Sequence, residues 1–300
     1  MPVVIKHLIL SSFMLCCQVV QLLGQESISV TKNQLEIHHD NDFFLLTDRY
    51  YTFGLALAYT RSAPNGFFTN SGETFRFELS QKAFTPNNLE TIEISEMDRP
   101  YAGVLSLKSG WTKQYPKALL QTSFELALMG PASGVGTFQQ WYHDHIVKYK
   151  TPTWAHELEN KFHANIYLAY ATEWQWTPNP FSVHVAAHPQ VVIGTLDTYI
   201  QPELQLFFGR RSALKKSMAY HQLDDAEREI YFSLEGAYRN VFKNARINDN
   251  AINSGMWLLG FQFHHRYKKN EYRVGYHFQT PEATNLRRHQ YLSLGYARGF

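Results

Sequence analysis

The chain has 300 residues, with 28 Lys and Arg against 26 Asp and Glu, so its formal net charge is only +2. That balance gives no strong electrostatic attraction to nucleic acid. Its two cysteines, Cys16 and Cys17, both lie near the N-terminus, which excludes a disulfide framework or a cysteine metal site in the remainder. Aromatic residues make up 15% of the chain, which is high for a soluble domain.

The N-terminal segment reads as a signal peptide. A short positive stretch, Lys6-His7, precedes an apolar run over residues 8–20. That run is too short to span a bilayer, which takes about 20 apolar residues, but it fits a secretory signal. Because glutamines at positions 18 and 21 interrupt the run, a retained N-terminal anchor is the weaker alternative. We therefore expect residues 1–24 to be a signal peptide and 25–300 to form one domain.

Large apolar residues alternate with small or polar ones along the rest of the chain, which is the period of a β-strand. The last run is typical, since Leu292, Leu294 and Tyr296 alternate with Ser293, Gly295 and Ala297. About twelve such runs are predicted, at roughly 33–40, 52–62, 74–83, 101–114, 117–130, 162–176, 182–195, 198–210, 229–242, 256–268, 270–280 and 290–300.

The character of the two faces indicates a closed barrel rather than a soluble sandwich. One face is apolar with aromatics near the strand ends, and the other mixes glycine, small residues and charges, as in a narrow lumen. Strands can cross a membrane only when the barrel is closed. The terminal Phe300 also resembles the C-terminal signal of outer-membrane proteins. The fold class is thus all-β, a single antiparallel transmembrane β-barrel of about twelve strands.

Two stretches resist the strand pattern. Residues 132–161 contain a run from Phe138 to Ile146 that predicts one or two short helical turns in an extracellular loop. Residues 213–228 are rich in charge, and we interpret them as an exposed, solvated connection without chemistry.

A first polar cluster lies at the ends of two predicted strands, where Asn41, Asp42, Asp48 and Thr52 come close in sequence. The carboxylate and amide oxygens of Asn41 and Asp42 are hard ligands of the kind that calcium prefers. Thr52 falls on the small, lumen-facing side of its strand, whereas the adjacent Asn41 and Asp42 share one site only if their strand ends or bulges there. The alternative is that Asp and Asn merely cap a turn.

A second polar cluster, Gln-Trp-Tyr-His-Asp-His at 140–145, supplies His143 as the preferred general base, with Asp144 and His145 as rivals. His38 and His39 without spaced partners are a weak zinc signal. Because no G-x-S-x-G elbow is present, a water nucleophile is favoured over an acyl-enzyme.

Several motifs follow one another along the chain. They are Asn41-Asp42, the run Thr-Asp-Arg-Tyr-Tyr-Thr-Phe-Gly at 47–54, Asp-Arg-Pro-Tyr-Ala-Gly at 98–103, Met-Gly-Pro at 129–131, Gln-Trp-Tyr-His at 140–143, and Trp154 with Glu-Leu-Glu-Asn at 157–160. Together they resemble the lipid A 3′-O-deacylases of Gram-negative outer membranes. The resemblance covers nearly the whole chain after residue 24.

The resemblance implies a twelve-stranded barrel in the Gram-negative outer membrane, with its site at the outer rim between barrel wall and lipid. It implies that His143 takes a proton from water, that Ca²⁺ near Asn41 and Asp42 polarises an ester carbonyl, and that Thr52 positions the water or a ligand. It further implies lipid A or lipopolysaccharide as substrate, insertion by the barrel assembly machinery, and a monomer.

The chain departs from this family at one place. Some members carry a functional lysine after the segment matching Phe84-Thr85-Pro86, where this chain has Asn-Asn-Leu-Glu at 87–90. Arg49, Arg99 or Lys148 is then a candidate for the substrate phosphate. Two other functions stay open: an outer-membrane phospholipase, although its His-x-Ser-Asn arrangement is absent from the sequence, and a passive barrel or channel without catalysis.

Overall fold

The computed structural model describes residues 31–45, 47–148, 150–223 and 228–300, so the expected signal peptide at 1–24 lies outside the described residues. Fourteen strand segments and one α-helix make up its main elements. They are β1 (Asn33–Asn41), β2 (Tyr50–Ala63), β3 (Glu73–Thr85), β4 (Ala102–Tyr115), β5 (Ala118–Met129), α1 (Val135–Tyr142), β6 (Lys161–Thr177), β7 (Ser182–Ala187), β8 (Gln190–Gly194), β9 (Asp197–Gln201), β10 (Glu203–Arg210), β11 (Arg228–Asn244), β12 (Gly255–Tyr267), β13 (Asn270–Gln279) and β14 (His289–Gly299).

The fourteen segments form twelve barrel strands. β6 pairs with β8 along one half of its length and with β7 along the other, so β7 and β8 are two halves of one strand, broken at Pro189. β9 and β10 pair in the same way with β11 and are broken at Pro202. Proline has no N–H to give to a ladder, which accounts for both breaks.

The first and last strands close the barrel. β1 pairs antiparallel with β14 from Gln34 opposite Gly299 to Asn41 opposite Leu292. The predicted twelve-stranded antiparallel barrel is therefore confirmed. Phe300 N donates to Asn33 O, and we call the end of the barrel at which these two residues lie the terminal end. The opposite end, which carries residues 42–49, 86–101 and 130–160, is called the loop end.

The predicted faces are also confirmed. Apolar side chains on the outward face stay exposed on most strands, among them Leu57, Leu79, Leu107, Leu126, Ile166, Leu234 and Leu259. The lumen holds paired charges instead. Arg76 and Arg273 lie 2.9 and 3.0 Å from the carboxylate of Glu36, and Arg266 lies 2.7 Å from that of Glu271. A buried charge is tolerated only when it is paired in this way.

The prediction of an exposed connection at 213–228 is wrong for the residues that the structure describes there. After β10 the chain turns into the lumen through two 3₁₀ turns, Leu214–Lys216 and Met218–Tyr220. Leu214, Met218 and Tyr220 are buried in an apolar cluster with wall residues, and Gln222 accepts a hydrogen bond from Thr74. Alternate apolar residues among the charges drive this insertion. We call residues 211–222 the plug.

A second apolar layer lies inside the loop end. Its buried members are Phe84, Ala102, Val104, Ala127, Met129 and Leu196. Guanidinium groups of Arg99 and Arg246 stack on the Phe84 ring, with their carbons 5.2 and 4.8 Å from its centroid. Among the described residues, no helix is both long and apolar enough to cross a bilayer.

Candidate functional site

A β-bulge breaks the alternation of β2 at Thr52. Tyr51 pairs with Phe84 and Phe53 with Ala83, so Thr52 is the extra residue between them. Tyr51 and Gly54 both face the lumen, where the Tyr51 hydroxyl donates to Asp40 and a Cβ at Gly54 would meet that same hydroxyl. The prediction that Thr52 faces the lumen is therefore wrong. The bulge lies at Thr52, and not at Asn41-Asp42, because β1 simply ends at Asn41.

Thr52 joins two carboxylates. Its hydroxyl lies 2.9 Å from Oδ1 of Asp42 and 2.6 Å from Oδ1 of Asp48. Asp42 is fully buried, and its Oδ2 accepts the backbone N–H of Arg49 at 2.9 Å. Because a single hydroxyl carries only one proton, it cannot donate fully to both carboxylates. The two carboxylates therefore have too little positive charge beside them to balance their own.

The pKa values of these two carboxyl groups also indicate that too little positive charge lies beside them. Burial raises the pKa of Asp42 to about 7, and the nearby negative charge of Asp48 adds to the shift. Burial likewise raises the pKa of Asp48 above its usual range. A carboxylate that is costly to ionise is stabilised by a cation or a proton beside it.

Helix α1 packs against the outer face of the wall and carries the candidate base. Val135 at its start is buried against Phe53 and Ala83, and the Phe138 ring lies 5.6 Å from that of Phe53. Gly103 on β4 makes this approach possible, since a Cβ there would come within 2.8 Å of Val135 Cβ. One π-helical turn, His143–Val147, follows α1 directly. The predicted helical turns are confirmed.

His143 is buried and oriented between two acceptors. Its Nδ1 lies 2.9 Å from the carbonyl oxygen of Lys150. Because a carbonyl can only accept, Nδ1 is assigned the proton in the neutral ring, and Nε2 then carries the lone pair. Nε2 lies 3.8 Å from Oδ2 of Asp48, a buried oxygen that has no hydrogen-bond partner among the described residues. A water molecule between these two acceptors would donate to both.

The rival bases lie elsewhere. Asp144 and His145 are exposed. Oδ1 of Asp144 accepts from the Thr151 hydroxyl at 2.6 Å, and Nδ1 of His145 lies 2.9 Å from the Trp141 carbonyl. Neither contact brings them to Asp42 or Thr52.

Asn41 plays the capping role that the sequence left open. Its Oδ1 accepts the backbone N–H of Phe43 at 2.7 Å, which is an Asx turn at the end of β1. The carbonyl keeps a second lone pair, so the turn does not prevent Asn41 from also binding a ligand.

The residues present suit a hard cation. Asp42 and Asp48 supply buried carboxylate oxygens, one of them without a hydrogen-bond partner, and Thr52 supplies a neutral hydroxyl oxygen between them. Asn41 precedes Asp42 directly in the chain. Such oxygens match calcium in ligand type. Among the described residues, no group of three or more His, Cys, Asp or Glu is arranged to hold a metal, so a cation here would need neutral ligands as well. Asp48 was not among the predicted ligands, although Thr-Asp-Arg at 47–49 stood in the motif.

The three candidate phosphate contacts differ in position. Arg49 follows Asp48 directly, and its Nη1 donates to Oδ1 of Asn87 at 2.8 Å. Arg99 is buried, 3.8 Å from Glu282 and stacked on Phe84 inside the barrel. Lys148 is exposed just after the π-helical turn.

A family model described as outer membrane protein LpxR matches residues 8–298. The chain belongs to the LpxR outer membrane protein family. It is accordingly an outer-membrane protein, as the sequence predicted, and the resemblance given above is confirmed at the level of the family. No curated protein matches the chain.

One solved structure shows the same fold. LpxR from Salmonella typhimurium is similar with a TM-score of 0.76 and 16% identity, over 89% of this chain and 100% of that one. The β domain of the Bordetella autotransporter BrkA matches with a TM-score of 0.47 and 10% identity, over 91% of this chain and 100% of that one. At these identities the likeness to LpxR shows the barrel fold and nothing about this chain's site.

Proposed function

We propose that the protein is an outer-membrane lipid A deacylase that hydrolyses an acyloxyacyl ester at the 3′ position of lipopolysaccharide, using calcium and His143 as general base. One observation carries the proposal. His143 Nε2 and the unpartnered Oδ2 of Asp48 face the same gap, 3.8 Å apart, beside a buried pair of carboxylates. This gap lies where α1 meets the outer wall, so its substrate is a lipid rather than a soluble ester.

In the proposed reaction a water molecule in this gap attacks the ester carbonyl carbon. His143 Nε2 takes one proton of that water, and Asp48 Oδ2 holds the other by a hydrogen bond. The Lys150 carbonyl fixes the ring by accepting from Nδ1. When the tetrahedral intermediate collapses, the C–O bond to the alcohol breaks, and the imidazolium returns its proton to the leaving oxygen. The products are a carboxylic acid and an alcohol.

Asp42, Asp48, Thr52 and Asn41 would hold the calcium ion, which when bound supplies positive charge for the developing oxyanion. Within the protein, Thr52 keeps the two carboxylates together through its shared hydroxyl, and the Arg49 N–H fixes Asp42. For a substrate phosphate we favour Arg49 over Arg99 and Lys148. Its described hydrogen-bond partner is the neutral Asn87, and it adjoins the site in sequence.

The test is mass spectrometry of lipid A from a Gram-negative host that expresses the protein, with calcium or with a chelator. We expect loss of one acyloxyacyl unit, abolished by the chelator and by His143→Ala. His145→Ala is the matched control, because this exposed histidine lies two residues away and should leave hydrolysis intact. Unchanged lipid A from a correctly inserted barrel would reject the proposal.

A phospholipase would instead release fatty acid from glycerophospholipid in the same assay. A passive channel is disfavoured by the plug at the terminal end and the apolar layer at the loop end. We further propose that the protein acts as a monomer inserted by the barrel assembly machinery, which size determination in detergent and depletion of that machinery would test.

A further inference from the structure

His39 is a polar side chain that follows two apolar residues on the lipid-facing row of β1. It shares the outward face of β1 with Leu35 and Ile37, which are 57% and 43% exposed. Its neighbours across the ladders are Leu55 on β2 and Leu294 on β14. Leu55 packs against the cluster of Phe53, Ala83 and Val135, so His39 lies where the lipid-facing row of the wall meets α1. A polar group here is costly unless both of its nitrogens find partners.

One of the two ring nitrogens has a partner in the protein. Nδ1 lies 2.9 Å from the carbonyl oxygen of Gly54, and because that oxygen only accepts, Nδ1 carries the proton. Nε2 is then a lone-pair acceptor, and none of the described residues hydrogen-bonds to it. The Phe53 ring, 5.3 Å from the imidazole centroid, restricts the imidazole from the side. His39 therefore presents a fixed acceptor on the outer wall.

The position of this acceptor relates it to the candidate site. His39 lies two residues before Asn41 on the same face of β1, about 7 Å along the strand. Phe53, which contacts the imidazole, also packs against Phe138 of α1. A lipid whose ester lies at His143 would therefore place its neighbouring acyl linkages near His39.

We propose that His39 Nε2 accepts a hydrogen bond from an amide N–H or a hydroxyl at the acyl linkages of the lipid substrate. This inference rests on the proposed function and adds selectivity to it. Acyl linkages of glycerophospholipids carry only ester oxygens, which are acceptors and leave His39 unpaired. Amide-linked and hydroxylated acyl chains supply the donor that it lacks. His39 thus favours such lipids over the glycerophospholipids of the same membrane.

Three variants separate this role from a structural one. His39→Leu removes the acceptor and matches the flanking leucines, whereas His39→Gln keeps an acceptor and a donor. Ile37→Ala is the matched control, since it alters the same face one position deeper. Each variant is assayed in mixed micelles on a lipid A with amide and hydroxyl donors. We expect His39→Leu to raise KM about 2- to 10-fold, the value of one hydrogen bond, with kcat little changed. His39→Gln should recover most of the loss.

Equilibrium binding in the His143→Ala background gives a readout without turnover. Lipid A and a short-chain phosphatidylcholine, which has no hydrogen-bond donor, are the two probes. His39→Leu should weaken lipid A binding and leave phosphatidylcholine binding unchanged. Equal effects on both lipids, or none on lipid A, would overturn the inference. Absence of lipid A hydrolysis by the unaltered protein would reject the proposed function alone, since the selectivity of binding is measured independently.

Discussion

At the scale of single residues, Asp48 connects the groups that the sequence placed in one site. Its Oδ1 accepts from Thr52, and its Oδ2 faces His143. Thr52 in turn reaches Asp42 through the same hydroxyl. Without Asp48, the base in the π-helical turn and the carboxylate just after β1 would have no shared partner. The proposed chemistry therefore depends on a residue of the 42–49 loop as much as on the histidine.

Replacing Asp48 by Asn should lower kcat about 10- to 100-fold, within the range for loss of a group that assists proton transfer. The amide removes the negative charge that favours the imidazolium and turns one acceptor into a donor. Steady-state kinetics on lipid A in mixed micelles measures this. Asp144→Asn is the control, because its exposed carboxylate contacts Thr151 instead. Equal rates for Asp48→Asn and the unaltered protein would exclude Asp48 from the reaction.

Asp42 should make stability depend on pH. Its pKa of about 7 in the folded protein lies above the value near 3.9 of an unfolded chain, so the folded state holds the proton more tightly. That contribution to stability is complete below pH 4 and is lost as pH rises to 7 and beyond. With a chelator present, the apparent melting temperature should fall over this range, and the fall should be smaller in Asp42→Asn. A slope that Asp42→Asn leaves unchanged would assign the effect to other groups.

At the scale of elements, the outer site is assembled from a bulge and a docked helix. The bulge takes Thr52 out of the lumen-facing row. The close approach at Gly103 lets α1 lie flat on the wall, and the π-helical turn after it presents His143. Neither the barrel wall nor the helix holds a complete site alone.

Gly103→Ala should displace α1 while leaving the barrel folded. The new Cβ would stand 2.6 Å from the Ser133 hydroxyl and 2.8 Å from Val135 Cβ, and the latter contact is relieved only when the helix start moves. A shift near 1 Å in a catalytic group can cost about 100-fold in rate. Gly236→Ala is the matched control, since the nearest atom to its Cβ is 3.9 Å away. Full activity of Gly103→Ala would show that α1 tolerates the shift.

At the scale of the whole molecule, apolar clusters lie inside the barrel near both of its ends. The plug belongs to the cluster at the terminal end, and the layer around Phe84 lies at the loop end; we infer that the two act as seals. Between them, the described residues enclose a cavity of about 200 Å³ whose lining includes the charged Arg76 and Lys108 as well as His221. The lumen is thus a packed support for the wall, and the outer face is left for chemistry.

In planar bilayers the protein should show no stepwise conductance. Replacing residues 213–222 by a short Gly-Ser linker should also leave conductance at baseline, because the layer at the loop end persists. Combining that replacement with Phe84→Ala and Met129→Ala should open a path, since it thins both seals. Conductance from the unaltered protein would contradict the two-seal description.

Alternation with period two was enough to predict twelve strands, their faces and the closed barrel. Every strand has one face toward lipid and one toward the lumen, so each shows the same pattern. The same rule failed at Thr52, since a bulge depends on pairing with β3 and leaves no local signal. It failed again at the plug, whose charges suggested solvent while Met218 and Tyr220 entered the lumen. Asp48 stood in a sequence motif, but its contact with His143 joins two loops that are far apart in the sequence. Only the folded structure shows that contact.

The plug also constrains the order in which the chain folds. Glu36 on the first strand pairs with Arg273 on β13, and its Oε2 lies 3.4 Å from Nδ1 of His221 in the plug. The seam between β1 and β14 joins positions 34 and 299, so it has the longest loop to close and is the slowest to form. His221 of the plug contacts Glu36 on one side of that seam and Arg273 on the other. We therefore expect the plug to enter before the seam closes, and Glu36 is the residue at which the two events meet.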